Sequence, residues 1–224
     1  MSIINNASTV KSLIDSKSLL VFDFDGVIAD SVEIKTQAFA ALYESYGNDI
    51  VNKVVNHHKN HGGVSRFEKL KKYHTEFLGV PLNESKLIDL CNKFSKLVVD
   101  KVIAANEIPG VMDFIEKNCS GKKICVVNSA TPTDEISTIV EKKGLTSFFS
   151  AVYGSPTGKK ENLNNSLAEF DVSVNDSVFF GDAESDFMAS TDVGVDFIYI
   201  GEACNKPFSE GDTLIYNATD FLKL

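Results

Sequence analysis

Apolar residues fall along the chain in short continuous runs, separated by longer stretches in which they recur every three or four positions. The runs are "LLVFDFD" (19–25), "KICVVNS" (123–129), "AVYGS" (151–155), "SVFFGD" (177–182), "DFIYIG" (196–201) and "TLIYN" (213–217). Each is rich in β-branched or aromatic residues and has the length of a strand. Between them, "TDEISTIVEKKG" (133–144) sets Ile136, Ile139 and Val140 at helical spacing and closes on Gly144. The stretch "KENLNNSLAEF" (160–170) behaves likewise. Continuous apolar strands alternating with helices predict an α/β fold with a doubly wound parallel sheet covered on both faces.

One interval breaks the alternation. Nearly a hundred residues separate the first run from the second, where a crossover needs only a dozen or so. The interval reads as helical throughout, in "SVEIKTQAFAALYESYG", "NDIVNKVVNHHKNHG", "VSRFEKLKKYHTEFLG" and "NESKLIDLCNKFSKLVVDKVIAA". Gly47, Gly62-Gly63 and Gly79 punctuate it. Residues 31–105 are therefore predicted to form an all-helical cap inserted after the first strand, and 1–30 with 106–224 to form the core. After Pro109-Gly110, "VMDFIEKNC" is the helix that rejoins the core.

Composition narrows the setting. The 224 residues are 43% hydrophobic and 24% charged, an ordinary globular mixture large enough for a core and a smaller second unit. A net charge of -9 argues against nucleic acid as a partner. No apolar run approaches the ~20 residues of a membrane span, and no signal peptide is visible at the N-terminus. Cys91, Cys119, Cys125 and Cys204 form no ligand-like cluster and read as reduced thiols of a cytoplasmic protein.

The chemistry lies at the strand ends. In an open parallel sheet, ligands bind beyond the carboxyl ends of the strands. That edge collects Asp23 and Asp25 from the first run and Ser129 from the second. It also collects Lys159 and Lys160 after the third, and Asp182 from the fourth. Carboxylates, a hydroxyl and an ammonium from four separated segments thus converge.

Those segments, "DFDGV", "VVNSA", the lysine after "YGSPTG" and "FFGDAESD", resemble the four ordered motifs of the haloacid dehalogenase superfamily. The resemblance is to its phosphoglycolate phosphatase and β-phosphoglucomutase-like branch. It implies a Rossmann-like core and a helical cap. It also implies an Mg²⁺-dependent phosphatase that hydrolyses a small phosphorylated metabolite, phosphoglycolate or a sugar phosphate, through an aspartyl-phosphate. A β-phosphoglucomutase-type phosphomutase is the alternative, and a non-catalytic binding protein on the same scaffold is the rival of another class.

The resemblance makes Asp23 the nucleophile and Asp25 the general acid and base. Asp23, the backbone carbonyl of Asp25, Asp182 and Asp186 would hold the metal. Asp186 follows Asp182 by four residues, so a helical turn returns it to the same side; its alternative is a first-turn acid capping that helix. Ser129, with backbone around Asn128 and Ala130, would bind the phosphoryl oxygens; it also reads as the cap of the next helix, a role compatible with the first. Lys159 would neutralise the phosphoryl group, with Lys160 as the competing candidate. Glu184 and Ser185 lie close enough to contribute.

In the cap, Arg66 of "GGVSRFEKL" would grip a distal phosphate or carboxylate, or else begin an exposed helix. His57 and His61 have the spacing of a metal pair but lack a third ligand, which favours a solvated face. Asp30 reads as a hinge or helix cap. The expected assembly is a monomer or homodimer.

Overall fold

The computed structural model describes residues 3–4, 6–121, 123–202 and 215–224. In chain order its elements begin with β1 (Ile3–Ile4), α1 (Ala7–Ser16) and β2 (Leu19–Phe22). Four helices follow: α2 (Val32–Tyr43), α3 (Asn48–Asn60), α4 (Arg66–Lys72), which runs into a wider π turn over Tyr73–Phe77, and α5 (Glu84–Ala104). Then come α6 (Val111–Cys119), β3 (Ile124–Pro132), α7 (Thr133–Lys142), β4 (Ala151–Ser155) and α8 (Lys159–Glu169). The chain continues through β5 (Ser177–Gly181), α9 (Glu184–Val193), β6 (Asp196–Ile200) and β7 (Ile215–Ala218).

Among the described residues the strands form one sheet in the order β1-β7-β6-β5-β2-β3-β4, and every pairing is parallel. The chain winds outward from β2 to β3 and β4, then crosses to the other side for β5, β6 and β7. That reversal is what makes the sheet doubly wound. β2 is the hinge of this order, and all four of its residues are buried.

Side chains alternate across β2. Leu20 and Phe22 join α1, α6 and α7 in one apolar layer, while Leu19 and Val21 face Leu163 of α8 and Ala189 of α9 in the other. Phe22 stacks on its cross-strand partner Phe180 with ring centroids 4.8 Å apart. Its edges meet Phe114 and Phe149. A strand covered on both faces has no use for polar side chains, so the "LLVF" run follows from its position.

Helices α2 to α5 occupy the long interval between β2 and β3. Ser31 precedes α2, and Asp30 donates its backbone N–H to the Asn106 carbonyl, where the insertion returns. Asp30 therefore stands at the crossing point, but it is exposed and does not cap the helix. The two-residue strand β1 and the helix α1 extend the core beyond the predicted elements.

Two further expectations change, and part of a third lies outside the described residues. Cys119 and Cys125 are joined as a disulfide rather than left as thiols. They end α6 and open β3, which the turn between them brings side by side. The pair removes the ground on which a reducing setting was expected. Second, β3 continues to Pro132, so Ser129 lies inside a strand and caps no helix. Third, of the "TLIYN" run, Thr213 and Leu214 lie outside the described residues, as does Cys204.

Candidate active site

β2 ends at Phe22, and the next residues form the floor of a cleft. Asp23 is 3% exposed. Its Oδ1 accepts the N–H of Phe24 at 2.7 Å, which fixes the carboxylate plane. Its Oδ2 lies 2.8 Å from Nζ of Lys159. That same ammonium donates to Oδ1 of Asp186. Oδ2 of Asp186 accepts the N–H of Ala183 at 3.2 Å, so Asp186 ties off the start of α9 while its other oxygen meets Lys159 behind the cleft floor.

Carboxylate oxygens of Asp23, Asp182 and Asp186 lie within 4.8 Å of one another. Crowding and burial act together on them. Burial pushes the Asp23 carboxyl up to about 7 against the pull of Lys159, with Asp186 and Asp25 adding to the rise. Burial, then Asp23 and Asp186, hold Asp182 well above the usual carboxylate range. Burial also raises Asp186, against Lys159. Burial opposes the charge on Lys159, yet Asp186 and Asp23 keep its ammonium above its ordinary value. Two buried carboxylates and the half-buried Asp182 beside one ammonium leave net negative charge in an all-oxygen donor set, and this fits a hard divalent cation such as Mg²⁺.

Asp25 is arranged differently. Ser31 donates its hydroxyl to Oδ1 at 2.5 Å, and Lys35 donates to Oδ2 and also, at 2.7 Å, to the Thr131 hydroxyl. Burial raises this carboxyl, but Lys35 and Ser31 outweigh it and hold Asp25 below its ordinary value. Two aspartates with one residue between them thus face distinct partners: Asp23 the carboxylate cluster, Asp25 the start of α2.

Lys159, not Lys160, is the lysine beside Asp23; Lys160 is exposed and pairs with Asp192 at 3.0 Å. Asn128 holds the start of α8, donating from Nδ2 to the Lys159 carbonyl at 2.9 Å. Oδ1 of Asn128 accepts in turn from Asn162 at 3.2 Å. Ser129 is buried beside them, its hydroxyl accepting the Thr131 N–H at 3.1 Å, and Ala130 and Thr131 form the cleft wall there.

Helices α2 to α5 roof the cleft, which encloses about 130 Å³ between Asp23, Asp25 and Asp182 of the floor and Lys35, His58 and Lys69 of the roof. The loop between α3 and α4 is seated closely: Ser185 donates to the Gly62 carbonyl at 3.1 Å. Glu184 is exposed. Arg66 begins α4 and lines the cleft, but it is buried, not exposed. Its guanidinium is engaged by Glu135 of α7 at two oxygens and by the Ser95 hydroxyl at 2.7 Å, and it stacks 4.6 Å above the Phe94 ring. His57 and His61 stack with centroids 3.9 Å apart, and His57 contacts the Tyr73 hydroxyl at 3.2 Å. No carboxylate or cysteine joins them as a metal-binding group among the described residues.

Sequence reasoning reached every carboxylate and the lysine of the floor. It missed Ser31, Lys35, His58, Lys69 and Glu135. Ser31 and Lys35 carried one usable signal, their four-residue spacing at the first turn of the inserted helices.

Comparison with known proteins gives the family and the fold. The family described as haloacid dehalogenase-like hydrolase matches residues 20–200. Among curated proteins, CbbY of Rhodobacter capsulatus is 28% identical over 119 residues, a match spanning 50% of this chain and 50% of that protein's length. A β-phosphoglucomutase structure from Clostridium difficile superposes with a TM-score of 0.70 at 21% identity, covering 84% of this chain and 86% of that one. A structure described as a predicted phosphoglycolate phosphatase from Haemophilus somnus gives 0.69 at 17% identity, covering 92% and 95%. CbbY of Rhodobacter sphaeroides, in complex with phosphate, gives 0.69 at 16% identity over 92% and 95%. At these identities the superpositions speak for the fold.

Proposed function

The chain belongs to the haloacid dehalogenase-like hydrolase family, and from that premise we propose that it is an Mg²⁺-dependent phosphatase acting on a small phosphorylated metabolite. Residues 31–105 act as its cap. The observation that carries the reading is the Lys159 ammonium bridging Asp23 and Asp186 at the end of the central strand. A structural ion pair needs no third acid beside it, whereas phosphoryl transfer needs a nucleophile and charge neutralisation in one place.

Asp23 attacks phosphorus, forming an O–P bond as the ester oxygen departs with a proton from Asp25. Asp25 then takes a proton from water, whose oxygen attacks the same phosphorus, releases inorganic phosphate and restores Asp23. Asp25 thus alternates between acid and base: the proton it takes from water in one turnover is the one it gives to the ester oxygen in the next, and the Ser31 and Lys35 contacts, which favour its ionised form, ease that release. Lys159 offsets charge on the transferring group, and Asn128 keeps Lys159 in place. Mg²⁺ held by Asp23, Asp182, Asp186 and the Asp25 carbonyl would supply the remaining positive charge.

The phosphomutase reading rests on a free Arg66 for a second phosphate. Engagement of that guanidinium by Glu135 favours hydrolysis.

The test is phosphate release from a panel of phosphomonoesters with Mg²⁺ or with EDTA. Mg²⁺-dependent release is expected, and Asp23→Asn should lose at least about a thousandfold in turnover while keeping its circular dichroism spectrum. Wild-type turnover in Asp23→Asn would overturn the assignment. Interconversion of sugar phosphates without net release would replace it with the mutase.

A further inference from the structure

Lys69 lies on α4 in the roof of the cleft and is 2% exposed. Its Nζ contacts Nδ1 of His58 at 2.8 Å. No carboxylate lies within ion-pair reach of it among the described residues. The neighbouring roof cations are both committed, Lys35 to Asp25 and Arg66 to Glu135. A buried ammonium without a counter-ion is unfavourable by several kcal/mol.

The strain shows in its protonation. Burial, then Lys35 and Lys159, bring Lys69 down to about 7. His58 packs its ring 4.8 Å from that of Phe39, and burial with Lys69 holds it down at about 3, so the ring stays neutral and accepts from Lys69. An ammonium has three N–H bonds. The His58 contact uses one and leaves the others for the cleft.

We propose that Lys69, oriented by His58, is the subsite for a second anionic group at the non-reacting end of the substrate, a carboxylate or a phosphate. This deepens the phosphatase reading and rests on it for which end reacts. Asp23 and Lys159 take the phosphoryl group on the floor. An anion at the far end meets the one roof cation, among Lys35, Arg66 and Lys69, that has no carboxylate. A substrate ending in hydroxyls would leave Lys69 unpaired.

The test uses phosphonates, which cannot be hydrolysed, so that binding is read without turnover. Propylphosphonate, phosphonopropionate and ethylenediphosphonate are similar in length and end in a methyl group, a carboxylate and a second anionic phosphorus group. Calorimetry with the Mg²⁺-supplied protein should show Lys69→Met weakening at least one of the two anion-ended ligands by about tenfold or more. Propylphosphonate should stay within about twofold, and Lys69→Arg should recover most of the loss. The larger loss identifies the anion. Equal losses on all three ligands, or none on either anion-ended one, would overturn the subsite. Lys69→Gln repeats the measurement should Lys69→Met fail to fold. Phosphate release by the wild type is scored separately, so a missing activity overturns the phosphatase reading while leaving the binding pattern to decide the subsite.

Discussion

A Cβ placed on Gly26 would stand 2.2 Å from Oδ2 of Asp182 and 3.2 Å from Cγ2 of Val32. The backbone there has φ of +80°, a left-handed conformation that side chains disfavour. Both constraints fall on the residue after the second aspartate. The chain must turn out of the sheet at once, and the turn must leave room for a carboxylate arriving from β5.

Gly26→Ala is therefore expected to damage the site more than the fold. The left-handed penalty is about 1–2 kcal/mol, which lowers the melting temperature of a chain this size by only a few degrees. The displaced Asp182 should raise the Mg²⁺ concentration for half-maximal activity at least about tenfold, with turnover falling further. Magnesium titration of activity beside a thermal melt separates the two effects. Unchanged Mg²⁺ dependence would remove Asp182 from the metal set.

Lys35 is expected to matter although it touches neither the nucleophile nor the carboxylate cluster. It joins Asp25 on the floor to Thr131 on the wall, from the first helix of the cap. In Lys35→Met, Asp25 keeps only the Ser31 hydroxyl and loses its charged partner. Turnover should fall roughly ten- to a hundredfold, the size of effect that misplacing an acid–base group produces. Lys35→Arg should restore part of it. Steady-state rates of the two variants on one substrate decide the matter, and equal rates for wild type and Lys35→Met would make the pair structural.

The floor was legible in the sequence because strand ends are. β2 and β5 are continuous apolar runs, and a polar residue directly after such a run has only one place to be. The cap helices were legible through periodicity and glycine stops. Which cap residues face the floor was not, since Lys35, His58 and Lys69 depend on how helices lie across a sheet rather than on their spacing. The alternative that Ser129 caps a helix fails because β3 runs three residues past it, through Ala130 and Thr131 to Pro132. The Cys119–Cys125 pair escaped because contact between a helix end and the next strand leaves no spacing rule.

The contact between Arg66 and Glu135 joins the cap to α7 with both side chains buried, 4% and 10% exposed. Removing one partner of such a pair strands the other, so Arg66→Met and Glu135→Gln should each cost about 3–5 kcal/mol. The double variant should cost clearly less than their sum, with a coupling of about 1.5 kcal/mol or more. Urea unfolding of the four proteins measures it. Additive losses would mean that the two side chains act independently, and would return Arg66 to the list of ligand-binding candidates.

Lys69 should write its burial into the pH dependence of stability. Its ordinary value of 10.5 falls to about 7 in the fold. Between those values the unfolded chain holds a proton that the native protein lacks, so stability rises with pH across this window. Below about pH 7 both states are charged and the full penalty stands; above 10.5 neither is charged and it vanishes. The groups facing Lys69 do not reverse the sign. His58 stays neutral throughout, Asp25 stays ionised, and Lys159 stays charged. Lys69→Met removes only this contribution. It should melt several degrees above the wild type near neutrality, with the gap closing as pH approaches 10. A gap that stays constant or widens with pH would show that the ammonium is not the source of the strain. At about pH 6.5, phosphonopropionate should raise the wild-type melting temperature more than that of Lys69→Met, because a ligand stabilises the state that binds it more tightly.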